Sequence, residues 1–159
     1  MDEQKLRDQL IDSLRGRGAH IPFERAVHGF PGELAGRSVP GLPHTAWQIL
    51  YHLWIAQWDI LEFVRDPGHR SPAWPEGYWP REPAPSAASD WDETVKKFRS
   101  DRESFIALVR DGKNDLSAPI PHGEGQTLLR EALLVVDHNA YHLGQFVDVR
   151  RALKAWPEK

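Results

Sequence analysis

Apolar residues recur at the three- and four-residue spacing of an amphipathic helix in four segments of this chain, residues 2–15, 44–65, 86–111 and 126–156. Glycine and proline, 12 and 13 in number, are concentrated between these segments, and both residues interrupt regular helices. None of the four segments shows the strict alternation of a strand. The pattern therefore predicts an all-α fold, a four-helix bundle with long connecting loops, in a single domain over residues 1–159.

Two of the long connections are expected to carry structure of their own. Residues 20–27 predict a short helix that opens at Pro22, because proline is tolerated in a first helical turn. The proline-rich connection 66–85 has the composition of a linker but holds three large aromatic residues, Trp74, Tyr78 and Trp79. Aromatic residues at this density predict a loop that folds onto the bundle.

Composition narrows the classes of function. With 20 Lys and Arg against 23 Asp and Glu, the net charge of -3 lacks the basic excess of a phosphate-backbone binder, so we expect no nucleic-acid partner. The charged N-terminus and the short apolar runs predict neither a signal peptide nor a membrane span, and we expect a cytoplasmic protein. Because cysteine is absent, any chemistry must use histidine, carboxylates, hydroxyls or a borrowed thiol.

Three of the eight histidines form a candidate metal site. His138 and His142 are four positions apart in the longest helical segment, which places both imidazoles on one face about one turn apart. Their face mixes apolar and polar residues, which favours an inward orientation, although two polar residues on a solvated face would show the same spacing. His52, inside the second segment among apolar neighbours, is the best third ligand. The other five histidines lie in or beside loops, where exposure or capping explains them.

Three neutral imidazoles would leave a metal ion with open positions, which is typical of catalytic rather than structural sites. Metal-bound imidazoles usually donate their second N–H to a carboxylate or carbonyl oxygen. Four residues are candidates for that supporting role, although each is equally explained as an ordinary polar residue: Glu131, Asp59, Gln48 and Gln145.

Stretches of the sequence around these histidines are similar to a known family. They are PHTAWQILYHL over residues 43–53, GYWP over 77–80, GQTLLREA over 125–132 and DHNAYHLGQ over 137–145. Through them the chain resembles the DinB-like (damage-inducible) superfamily of metal-binding four-helix bundles.

The resemblance implies a divalent ion, often nickel, zinc or iron, held by His52, His138 and His142 with water completing the coordination sphere. Members of that superfamily include S-transferases and isomerases that depend on low-molecular-weight thiols such as bacillithiol or mycothiol, and proteins described as metal-dependent hydrolases. The resemblance therefore predicts the metal ligands more firmly than it predicts which reaction the protein catalyses.

Three functions remain open from the sequence. The leading hypothesis is a metal-dependent enzyme that activates water or a low-molecular-weight thiol toward a small-molecule substrate, as a hydrolase or a thiol S-transferase. In a hydrolase, Glu131 or Asp59 would serve as general base if its side chain reached the activated water. The alternatives are a non-catalytic metal-binding stress-response protein and a purely structural bundle. A stripe formed by Trp47, Trp54 and Trp58 is expected to pack in the core, and an exposed part of it would suit a homodimer interface.

Overall fold

The computed structural model describes residues 2–157, and this part of the chain is helical, with no strand. The all-α prediction is therefore confirmed. Pro22 immediately precedes the short second helix, as expected. The helices are α1 (Glu3–Leu14), α2 (Phe23–Val27), α3 (Ala46–Arg65), α4 (Ala88–Arg110) and α5 (Leu128–Ala152), with a 3-10 turn at Gly32–Leu34.

The four long helices enclose one bundle. Around its axis they follow the order α1, α4, α3, α5, so that each packs against two neighbours, and α2 covers part of α5. Fully buried side chains fill the space between them, among them Leu50 and Leu61 of α3, Phe98 of α4 and Phe146 of α5. The arrangement makes α3 and α5 direct neighbours, and these two helices carry the three candidate histidines.

Local capping fixes where α3 and α5 begin. The Thr45 side chain accepts the backbone N–H of Gln48, and the Gln48 side chain accepts the backbone N–H of Thr45, which completes a capping box at the start of α3. Thr127 caps α5 by accepting the backbone N–H of Arg130. These caps fix the first residue of each helix and thereby the helical face on which His52 and His138 lie.

The connection 66–85 folds onto the bundle, which confirms the expectation drawn from its aromatic residues. The Thr45 hydroxyl donates to the Pro83 carbonyl at 2.6 Å, and the Gln48 amide donates to the Pro80 carbonyl at 3.2 Å. A Cβ at Gly77 would lie 2.4 Å from the Cβ of Pro72, so only glycine fits this tight turn. The loop is thereby held over the first half of α3.

The tryptophan stripe on α3 packs within the chain. Trp47 is buried, and Trp54 and Trp58 are half-buried. The Trp54 indole donates to Asp101 at 3.0 Å, while Trp58 meets the His69 ring edge-on. Core packing is thus observed for Trp47, with Trp54 at the edge of the core and Trp58 against the loop, and the homodimer stays a prediction. Within residues 2–157, no helix has both the length and the apolar character needed to cross a membrane.

Candidate metal centre

Three imidazoles from two neighbouring helices converge on one point. The Nε2 atom of His52 lies 3.1 Å from Nε2 of His142 and 3.0 Å from Nε2 of His138, and the three candidate ligand atoms all lie within 4.8 Å of one another. His52 is only 2% exposed, whereas His138 and His142 are half-buried at the edge of the bundle. The structure therefore brings the three sequence-predicted ligands together, with the α5 pair less enclosed than expected.

The two nitrogen–nitrogen distances from His52 suit a shared cation. Nitrogen donors bind zinc at about 2.0–2.1 Å, and two donors at that distance from one ion lie about 2.8–3.4 Å apart for bond angles near 90–110°. Both Nε2–Nε2 distances from His52 fall within that range. The donors are therefore chemically suited to a borderline divalent ion, and the two separations from His52 match one.

Hydrogen bonds on the far side of two rings leave their Nε2 atoms free to bind an ion. His52 Nδ1 donates to the Tyr78 carbonyl at 3.2 Å, and His142 Nδ1 donates to Gln145 Oε1 at 2.7 Å. In a neutral imidazole, a proton on Nδ1 leaves a lone pair on Nε2. Two lone pairs facing each other at 3.1 Å repel, and a cation between them would turn this repulsion into binding.

The site keeps its histidines neutral. Burial, with the neighbouring imidazoles adding to it, lowers the pKa of His52 to about 3. Burial likewise lowers the pKa of His138 to about 4, with a smaller contribution from His142, and it lowers the pKa of His142. Because a metal ion binds the neutral imidazole, a folded chain at neutral pH presents these ligands without first losing protons.

Aromatic side chains surround the three imidazoles. Trp79 stacks on His52 at a centroid distance of 3.8 Å and an interplanar angle of 10°, and His44 stacks on Trp79 at 3.9 Å. Trp74, 68% exposed, lies 6.5 Å from the His52 ring, and Tyr141, 65% exposed, lies 4.9 Å from the His142 ring. The site is thus walled by Trp79 and flanked by two aromatic rings that face solvent.

Of the four predicted supporting residues, Gln145 lies against a candidate ligand and the other three bind elsewhere. Gln48 is engaged in the cap of α3. Asp59 accepts the Tyr78 hydroxyl at 2.6 Å on one oxygen and faces His69 Nε2 at 2.7 Å on the other. Glu131 is buried and pairs with Arg130 at 2.6 Å. Asp59 and Glu131 are seven positions from His52 and His138, about two helical turns away.

The peptide carbonyl of Tyr78 and the indole of Trp79 are contacts that ligand spacing does not reveal. Both belong to the GYWP stretch, whose similarity to the family was the available signal. His44, one of the five histidines in or beside loops, does not cap α3, because Thr45 forms that cap; His44 stacks on Trp79 instead. His122 is away from the site and contacts the Phe63 carbonyl at 2.6 Å.

Together these features define a class of protein, a helical bundle that gathers three histidines from two packed helices into a candidate divalent-metal site. Comparison with protein families then gives the particular family. The chain matches the DinB superfamily over residues 22–146, which is more than half of its length, and it belongs to that superfamily. The matched part contains His52, His138 and His142, while α1 precedes it. Comparison with curated proteins gave no significant match, and comparison with solved structures gave none either.

Proposed function

We propose that this protein is a metal-dependent enzyme that binds a divalent ion through His52, His138 and His142 and activates a nucleophile at the open side of that ion. The observation that carries the proposal is the composition of the donor set. Among residues 2–157, the cluster of candidate ligands consists of three imidazoles with no fourth His, Asp or Glu. Three protein ligands with a remaining position for water or substrate are typical of catalytic sites, whereas structural sites are closed by four.

The chain's own residues would hold and orient the ligands. The Tyr78 carbonyl and Gln145 fix the rings of His52 and His142, and Trp79 excludes water from one side of His52. When bound, a divalent ion supplies positive charge that lowers the pKa of a water molecule or thiol beside it. The exposed ring of Trp74 would offer aromatic surface to a small-molecule substrate.

A low-molecular-weight thiol fits this site better than water as the nucleophile. Both carboxylate oxygens of Asp59 are engaged by His69 and Tyr78, and Glu131 is buried against Arg130, so neither stands free as a general base. A thiol has a pKa of about 8.5 before any metal lowers it, against 15.7 for water, and so needs less help to lose its proton. Because the chain has no cysteine, that thiol would arrive as a cosubstrate.

Thiol S-transfer is tested by supplying metal-loaded protein with low-molecular-weight thiols and small electrophiles, alongside a panel of hydrolase substrates. We expect thiol-dependent loss of the electrophile with wild-type protein and with His28→Ala, which removes an exposed histidine outside the site. The reaction should be lost in His138→Ala. Turnover of the ester or amide panel alone would favour the hydrolase. One equivalent of bound metal without turnover in either panel would refute the enzyme and favour a metal-binding stress-response protein.

A further inference from the structure

The ligand His52 is held by a loop as well as by its own helix. We call residues 74–80 the covering loop. Its Tyr78 carbonyl accepts the Nδ1–H of His52 at 3.2 Å, and its Trp79 indole stacks on the same imidazole at 3.8 Å. One contact sets which nitrogen carries the proton, and the other sets the plane of the ring. The coordination geometry of His52 therefore depends on where the covering loop sits.

A hydrogen-bonded cluster ties the covering loop to α3. The Tyr78 hydroxyl donates to Asp59 Oδ2 at 2.6 Å, and His69 Nε2 contacts Asp59 Oδ1 at 2.7 Å. The side chains of His69 and Asp59 are only 9% and 13% exposed. Hydrogen bonds to a carboxylate are stronger than those between neutral groups, and shielding from water strengthens them further. Asp59 is therefore the point at which two parts of the connection 66–85 are fastened to the bundle.

Tyr78 links Asp59 to the candidate metal ligand His52. Asp59 and His52 are both on α3, about two turns apart, and Tyr78 contacts both of them, Asp59 through its hydroxyl and His52 through its carbonyl. Tyr78 by itself thus connects Asp59 to His52. Burial, with the bond to Asp59 adding to it, raises the pKa of Tyr78 to about 12, so its hydroxyl remains a donor at neutral pH.

We propose that Asp59, Tyr78 and His69 form a positioning cluster that fixes the tautomer and orientation of His52 and thereby sets the affinity of the metal centre. The inference rests on the proposed metal site and assigns to Asp59 a task other than general base. Groups that accept the outer N–H of a ligating histidine typically change metal affinity 10- to 100-fold when they are lost. Here the acceptor is a peptide carbonyl, which no side-chain substitution removes, so the cluster that places this carbonyl is the part open to mutation.

The test compares Tyr78→Phe with Tyr141→Phe. Each removes one phenolic hydroxyl from a tyrosine beside the site, but only that of Tyr78 is bound to Asp59. In Co²⁺ titrations followed by visible absorption, we expect Tyr78→Phe to bind about tenfold more weakly, the low end of that range because the carbonyl itself stays in the chain, and Tyr141→Phe to stay within about twofold of wild type. Asp59→Asn should also weaken binding, and the double variant should lose little more than either single variant, because both break one chain of contacts. Wild-type affinity in Tyr78→Phe would overturn the inference.

A second readout needs no metal. In the metal-free protein, imidazole ¹⁵N shifts should show His52 as the Nδ1–H tautomer in wild type and Tyr141→Phe, and as a mixture in Tyr78→Phe. Far-UV circular dichroism verifies that the variants are folded. If wild type takes up no Co²⁺, the proposed function fails, and the ¹⁵N comparison still decides the positioning role. An unchanged His52 tautomer in folded Tyr78→Phe would contradict that role.

Discussion

Metal binding at this site should resist acid far better than binding by exposed histidines. The perturbation is a change from pH 7.5 to pH 5. A histidine with its ordinary pKa of about 6.5 is only about 3% neutral at pH 5, so each such ligand would weaken binding about 30-fold. Three ordinary histidines would together weaken binding about 30,000-fold.

The structure predicts a much smaller loss. With pKa values of about 3 and about 4, His52 and His138 remain about 99% and about 90% neutral at pH 5. Burial also lowers the pKa of His142, so its contribution is below the ordinary 30-fold loss. The expected weakening between pH 7.5 and pH 5 is therefore at most about 30-fold.

The assay is a Co²⁺ titration followed by visible absorption at both pH values in a non-chelating buffer. Far-UV circular dichroism of the metal-free protein at pH 5 serves as the control that the chain is folded. A loss of about a thousandfold or more in folded protein would refute the reasoning. It would mean that the three imidazoles are hydrated and titrate as exposed groups.

Three further predictions follow from the same contacts. Chelation of the metal should lower the melting temperature, because the ion would join α3 to α5. At a free metal concentration 100 times Kd, bound metal stabilises the fold by about 2.7 kcal/mol, which is roughly 5–10 °C for a domain of this size. An unchanged melting temperature after chelation would contradict this prediction. The metal-free protein should lose stability as the pH falls from about 6.5 toward 4 in calorimetry. In that pH range His52 and His138 take up protons in the unfolded chain but stay neutral in the folded one, because their pKa values are lowered there. Constant stability would refute the claim that these imidazoles are buried and neutral. Gln145→Leu removes the acceptor of the His142 N–H and should weaken Co²⁺ binding about 10- to 100-fold. The control Asp148→Asn, an exposed change on α5, should leave the affinity unchanged. Equal affinities of the two variants would exclude Gln145 from a supporting role.

The helices and the ligand set were predictable because both follow local rules. Apolar spacing and the position of helix breakers identify α1, α3, α4 and α5, and the spacing of His138 and His142 places both rings on one helical face. His52 was also predictable as an inward-facing residue of α3. What joins it to the α5 pair is the packing of α3 against α5, and here the family resemblance added information that periodicity lacks.

The surroundings of the site could not be read from the same rules. Asp59 was a reasonable candidate to support a ligand, but its carboxylate faces Tyr78 and His69, which lie in a loop without helical register. Stacking of His44 and His52 on Trp79 depends on the path of that loop across α3. Contacts between a loop and a helix are set by tertiary packing, for which a single sequence carries no periodic signal.

The central claim is that His52, His138 and His142 bind one divalent ion. Elemental analysis of purified protein, after loading with metal and removal of the excess, measures this directly. We predict about one equivalent of metal per chain for wild type and for His28→Ala, and a strong loss in each of His52→Ala, His138→Ala and His142→Ala. No metal in folded wild-type protein, or full retention in these three variants, would contradict the claim.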